Sequence, residues 1–355
     1  MSKFDEIRQS IYPELTELNT VMKQSLNSNC ELLNSVVDSY LQSKGKQIRP
    51  IIVILSAKFF GTVTPEVIFG AAAIELLHNA SLIHDDVIDE TKMRRGKATI
   101  NSIWDNHIAV LAGDFFVSNS LQCAIKTGDF KVIQSISELG KELSTGELDQ
   151  IDIAKKHSIT KENYLSIISR KTASLFRSCV EVAGYTVHAS ECDIKNLSEY
   201  VKKLGLCFQI KDDIFDYFKD EAVGKPTGND LREGKVTLPL IYAISKDTPK
   251  ASEMKELLMK DCLCDEEIEI LIEFAKAEGG IEYAYAEMEK IEKEDYRFVD
   301  KKIDFSFRSR YYGYIPIKLN TCAIYQVENA RLALHALENM GIDISNKKSI
   351  SAEFI

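Results

Sequence analysis

From Phe4 to about Met288, apolar residues recur at intervals of three and four, and the whole chain holds only seven prolines. That is the pattern of helices joined by short turns, so the sequence predicts an all-α fold. No self-similarity at a period of tens of residues is visible, which disfavours a solenoid. The stretch from Pro65 to Asp89 is rich in Ala, Leu and Ile without an internal proline and predicts one long buried helix. A second helix is predicted over 201–217, where Gln209, Asp212, Asp213 and Asp216 form a polar stripe flanked by Leu204, Phe208, Ile214 and Phe215. Two polar stripes on mainly apolar helices should face each other. Between about 293 and 326 the helical period stops and the sequence turns aromatic and basic. It predicts a surface insertion carrying a loop or hairpin in an otherwise single domain of residues 1–355. Helix-like sequence resumes over 328–340.

Composition narrows the picture. The 355 residues are 45% hydrophobic and 28% charged, ordinary globular usage, with a formal net charge of -10. An acidic chain lacks the basic face of a nucleic-acid binder. The strongest uninterrupted apolar run, Ile51 to Ala57, ends at Lys58, well short of the ~20 residues that span a bilayer, and the N-terminal residues lack the apolar core of a signal peptide. A soluble, cytoplasmic protein is expected. The eight cysteines are scattered, without zinc-site spacing, and read as reduced thiols.

The chemistry concentrates in two clusters, DDVID from Asp85 to Asp89 and DDIFD from Asp212 to Asp216. On a helix the i and i+4 carboxylates share one face, one turn apart, and repel each other. A cation between them removes the conflict, and hard oxygen ligands favour Mg²⁺. His78 shares the face of Asp85 and Asp89. Basic elements follow each cluster: Arg94, Arg95 and Gly96 after the first, and GKPTGNDLREGK, with Lys225, Asp230 and Lys235, after the second. Asp230 is a further candidate metal or water ligand. Lys46 and Arg49 precede a predicted helix, and Lys171 and Thr172 lie on another. These cations exceed what one phosphate group needs, so two anionic sites are predicted, one reached through metal and the other held by Lys and Arg alone.

The stretches GKQIRP, LLHNASLIHDDVIDETKMRRG and FQIKDDIFDYFKDEAVGKPTGNDLREGKVTLPLI resemble the motifs of trans-isoprenyl diphosphate (polyprenyl) synthases, over about Ser43 to Gly280. The resemblance implies a large helical bundle around a central cavity, commonly a homodimer, using three Mg²⁺ ions. It implies that Asp85, Asp89 and Asp212 are metal ligands supported by Asp86, Asp213 and Asp216. Arg94, Lys171, Thr172, Gln209, Lys225 and Lys235 would contact an allylic diphosphate, and Lys46, Arg49, His78 and Arg95 isopentenyl diphosphate. Where that family usually reads Gly-Gly-Lys-Arg, this chain has Lys44, Gly45, Lys46 and Gln47, and the 293–326 segment and tail replace its usual C-terminal helices.

The implied reaction is ionisation of the allylic diphosphate with metal assistance, attack by isopentenyl diphosphate and loss of a proton. Ala80 and Ser81, five and four residues before Asp85, stand where short-chain members tend to carry a bulky aromatic, so a medium- or long-chain product, C20 or longer, is expected. Close helix packing is an equally good reason for their small size. A class I terpene cyclase and a non-catalytic subunit of a heteromeric synthase remain as alternatives. The second, complete DDxxD motif speaks against the cyclase, and the full set of metal ligands against the subunit.

Overall fold

The computed structural model describes residues 3–42, 45–94, 96–218, 227–260, 262–293, 297–299, 302–309 and 313–319. Two compact units divide the chain, Met1–Tyr285 and Ala286–Ile355.

The first unit is a helical bundle. Its helices are α1 (Lys3–Ser10), α2 (Tyr12–Ser25), α3 (Glu31–Leu41), α4 (Ile48–Phe60), α5 (Pro65–Ile88), α6 (Ile100–Ile103), α7 (Asn106–Lys126), α8 (Phe130–Lys155), α9 (Lys161–Ile168), α10 (Ser174–Thr186), α11 (Glu191–Phe215), α12 (Asn229–Arg232), α13 (Leu238–Ser245), α14 (Pro249–Leu257) and α15 (Asp265–Ala277). A two-stranded ribbon, β1 (Met93–Arg94) with β2 (Lys97–Ala98), follows α5.

Helix α5 is the axis of the core. Pro65 occupies its first turn, where a missing N–H costs nothing, and the run of alanines and branched aliphatics carries it without a break for 24 residues. It packs on α2, α4, α7, α8 and α10. Ile68, Ile74 and Leu76 are at most 1% exposed, and burial of each contributes about 1.5–3 kcal/mol. By length and composition α5 and α7 could each cross a membrane, which a search for an uninterrupted apolar run does not register. Of the apolar window in α5, 78% is buried inside the protein, the mark of a core helix; in α7 it is 44%.

Between α9 and α10 the helix widens into a π-turn over Ser169–Ala173. Such single turns are uncommon and often sit at functional sites. The all-α expectation holds for the first unit. In the second, the segment predicted to be a loop or hairpin contains an antiparallel meander of β3 (Arg297–Val299), β4 (Lys302–Ser309) and β5 (Gly313–Leu319), in register at Arg297↔Asp304 and Phe307↔Ile315. The helix predicted over 328–340 lies outside the described residues.

Candidate active site

Both aspartate clusters lie at helix C-termini. Asp85 and Asp86 are in the last turn of α5 with Asp89 as its C-cap; Asp212 and Asp213 are in the last turn of α11 with Asp216 as its C-cap. The helix macrodipole is negative at that end, so carboxylates are disfavoured there, and neither last turn holds a basic residue to compensate. A bound cation meets both demands.

The carboxylates of each cluster then diverge. Asp86, 4% exposed, accepts from Arg94 Nε at 2.7 Å, while its backbone carbonyl accepts from Asn101 Nδ2 at 3.1 Å. Asp213, 6% exposed, accepts from Tyr164 Oη and Gln209 Nε2, each at 2.7 Å, and Thr172 Oγ1 donates to Gln209 Oε1 at 2.6 Å. Asp216 accepts the backbone N–H groups of Asn229 and Asp230, each at 3.1 Å, and so folds the loop after α11 back onto its end. Gly228 makes that return possible: its φ is +77°, and a Cβ there would come within 2.4 Å of Ile268 Cγ2. Asp85 and Asp89 are half-buried, and Asp212 is exposed.

Lys235 joins the two halves. Its Nζ donates to Asp89 Oδ2 at 3.0 Å and to Glu233 at 2.7 Å, and its backbone N–H donates to the Asp230 carbonyl at 2.7 Å. Lys235 thus ties the loop after α11, whose Asp230 N–H is held by Asp216, to Asp89 of the first cluster. Burial pulls the Lys235 ammonium down, but its two carboxylate partners outweigh that and leave its pKa raised. Burial pushes Asp85 up to about 6, with nearby Lys171 and Lys235 opposing and Glu147 and Asp89 adding to the shift. Burial likewise pushes Asp213 up to about 6, against the hydrogen bonds from Gln209 and Tyr164. Asp230 is raised by burial and by Asp213 and Asp216.

Lys171 and Thr172 lie on the π-turn. With Gln209, Asp213, Asp230 and Lys235 they line a cavity of about 740 Å³. Its other walls come from the end of α8, from α9, and from residues around Leu258 and Leu263, several of them apolar. Neither Ala80 nor Ser81 is among the lining residues; Ala80 is fully buried, and Ser81 is half-buried with its hydroxyl donating to the His78 carbonyl at 2.9 Å.

The remaining predicted contacts lie on the α4–α5 side. Lys46 is exposed, Arg49 half-buried and His78 7% exposed. Gln47 adopts a left-handed φ of 53° at the start of α4 and donates to Asn19 Oδ1 at 3.0 Å; Arg8 donates to the Lys46 carbonyl at 2.9 Å. These anchors hold a strained corner beside Lys46 and Arg49. Arg95 and Lys225 lie outside the described residues.

Among the described residues no three His, Cys, Asp or Glu side chains converge into a ready-made metal cage. Sequence reasoning missed Tyr164, Glu147 and Gln150. Glu147 pairs with Lys171, and Gln150 Oε1 accepts from Lys171 Nζ at 3.2 Å. On α8 these residues sit in an acidic, polar run that reads as a solvated face, and no spacing in the sequence points them at Lys171.

The profile of the family described as polyprenyl synthetase matches residues 30–275. The chain belongs to the polyprenyl synthetase family. Octaprenyl diphosphate synthase of Escherichia coli (strain K12) is 35% identical over 280 residues, 79% of this chain and 87% of that protein. The crystal structure of a decaprenyl diphosphate synthase from Rhodobacter capsulatus superposes with a TM-score of 0.76 at 30% identity, covering 81% of this chain and 90% of that one. A geranylgeranyl pyrophosphate synthase from Bacteroides thetaiotaomicron gives 0.70 at 38% identity, covering 81% and 89%. The first unit thus has the isoprenoid synthase fold, and this polyprenyl synthetase is a trans-prenyltransferase, condensing isopentenyl diphosphate with an allylic diphosphate. The family uses divalent metal to ionise the diphosphate.

Proposed function

We propose that the protein elongates an allylic diphosphate with isopentenyl diphosphate to a product of C20 or longer, using Mg²⁺, three ions by family resemblance, with Asp85, Asp89 and Asp212 as direct ligands. The observation that carries this reading is the divergence within each cluster: Asp86, Asp213 and Asp216 are engaged by Arg94, by Tyr164 and Gln209, and by backbone N–H groups. Such partners orient the ligand-bearing turns. When bound, the metal neutralises charge developing on the leaving diphosphate.

The chain's own residues do the rest. Lys171, Lys235, Arg94 and Lys225 hold the allylic diphosphate, with Thr172 and Gln209 fixing its orientation. Lys46, Arg49, His78 and Arg95 hold isopentenyl diphosphate, and holding the two substrates together supplies much of the acceleration. The apolar part of the cavity wall excludes water from the carbocation. Long product length rests on the small Ala80 and Ser81 and on relatives that make octaprenyl and decaprenyl diphosphates. A homodimer is proposed through α7, whose Val110, Leu111, Leu121 and Ile125 are 39–64% exposed, an apolar face that a second copy would cover. Cytoplasmic residence goes with this reading.

The test incubates purified protein with Mg²⁺, isopentenyl diphosphate and, separately, geranyl, farnesyl and geranylgeranyl diphosphates. The expected result is a ladder of linear products rising by one isoprene unit. Cyclic hydrocarbon from an allylic substrate alone would support a cyclase, and no product from any primer would support a subunit that needs a partner.

A further inference from the structure

Lysine is a flexible, strongly hydrated point charge with three donors, a poor device for fixing a diphosphate unless something fixes the lysine. Around Lys171 the fixing is done by α8. Glu147 pairs with its ammonium, Gln150 accepts from it at 3.2 Å, and one residue earlier on the π-turn Arg170 Nη1 donates to Asp149 at 2.5 Å. The approach is close because α8 carries glycine at 146: a Cβ there would stand 3.0 Å from Lys171 Cγ and 3.1 Å from Arg170 Cβ. The Lys171 and Glu147 side chains are only 23% and 13% exposed, so the pair is shielded from much of the screening that makes surface ion pairs weak. Glu147 is absent from the cavity wall, whereas Lys171 and Gln150 are part of it. The carboxylate and the amide of α8 thus hold the ammonium from one side chain each.

Resting on the function proposed above, we infer that Glu147 is a positioning residue for Lys171. Glu147 and Gln150 take two of the three ammonium donors, and the third is left for an allylic diphosphate oxygen. The π-turn offsets Lys171 from regular helical register, and the carboxylate and amide of α8 define where its ammonium comes to rest. Glu147 acts on substrate through Lys171 and not by touching it. A carboxylate that merely competed for the ammonium would have the opposite effect, weakening diphosphate binding.

A double-mutant cycle decides between these roles. Full-length wild type, Glu147→Ala, Lys171→Ala and the double variant are compared by calorimetric binding of inorganic diphosphate with Mg²⁺ and by initial rates with each substrate varied in turn. Glu147→Ala is expected to weaken diphosphate binding and to lower kcat/KM for the allylic substrate about 10- to 100-fold, the effect of losing a hydrogen bond to a charged group. The KM for isopentenyl diphosphate should change less than about twofold, since only the allylic arm is touched. The double variant should be no worse than Lys171→Ala, and Glu147→Gln, which keeps an acceptor oxygen, should recover most of the loss. Additive losses, tighter diphosphate binding in Glu147→Ala, or an equal loss on both substrates would overturn the assignment. If wild type makes no prenyl product, the functional reading fails on its own, and the calorimetric cycle still tests the coupling.

Discussion

The two aspartate clusters share one pattern and lead different structural lives. At the end of α5, Asp85 is half-buried against Lys171, Lys235 and Glu147 and has a pKa pushed up to about 6 by burial. At the end of α11, Asp213 sits at the centre of a chain of donors from Thr172 through Gln209, closed on its other oxygen by Tyr164, and Asp216 receives two backbone N–H groups. In the first cluster Asp86 alone is braced, by Arg94, whereas in the second Asp213 and Asp216 tie α9, α11 and the loop to Lys235 together. The same residue pattern thus holds proposed ligands and braces side by side.

Substitutions should separate the two. The largest effect is expected from Asp85→Asn, which removes a proposed metal ligand and should lower turnover by about a thousandfold or more. The same change should stabilise the metal-free protein. The pKa of Asp85 is raised from 3.8 to about 6, so its contribution to stability is full below pH 4 and lost as pH rises through 6; the ionised form costs up to about 3 kcal/mol at neutral pH. Thermal melts without metal should show the variant's advantage growing between pH 5 and 7.5.

Tyr164→Phe should act in the opposite direction. The ring is kept, a buried carboxylate loses one of its two side-chain donors, and stability should fall by about 1.5–3 kcal/mol in urea unfolding, with allylic kcat/KM reduced as Gln209 and Thr172 lose their anchor. Asp216→Asn should cost less, about 1 kcal/mol, because one oxygen still accepts from the loop. The smallest effect on turnover is expected from Ala80→Phe. If α5 forms the floor of the product cavity, products become shorter, at an overpacking cost of about 1–3 kcal/mol; unchanged product lengths would place the floor among the cavity walls of α8, α9 and α13.

Much of this was readable in advance. The bundle follows from apolar spacing, and both clusters with their trailing basic elements stand in the sequence because ligands on one helix turn must be close along the chain. What the sequence hid is tertiary. Tyr164 meets Asp213 from another helix, 49 positions away. Lys235 reaches Asp89 across 146 positions, so the tie between the loop after α11 and the first cluster could not be seen from either one. The π-turn, which lies close against Gly146, leaves no mark in the apolar period. The second unit does carry a strand signal: Ile303, Phe305 and Phe307, then Ile315, Ile317 and Leu319, alternate at a period of two, and these are the positions of β4 and β5.

The most direct test of the division between ligand and brace is the shift in melting temperature produced by Mg²⁺ with inorganic diphosphate in wild type, Asp85→Asn and Asp216→Asn. The shift should be lost in Asp85→Asn, whose metal-free melting point is raised, and kept in Asp216→Asn, whose metal-free melting point is lowered. A full shift in Asp85→Asn, or its loss in Asp216→Asn alone, would contradict the account.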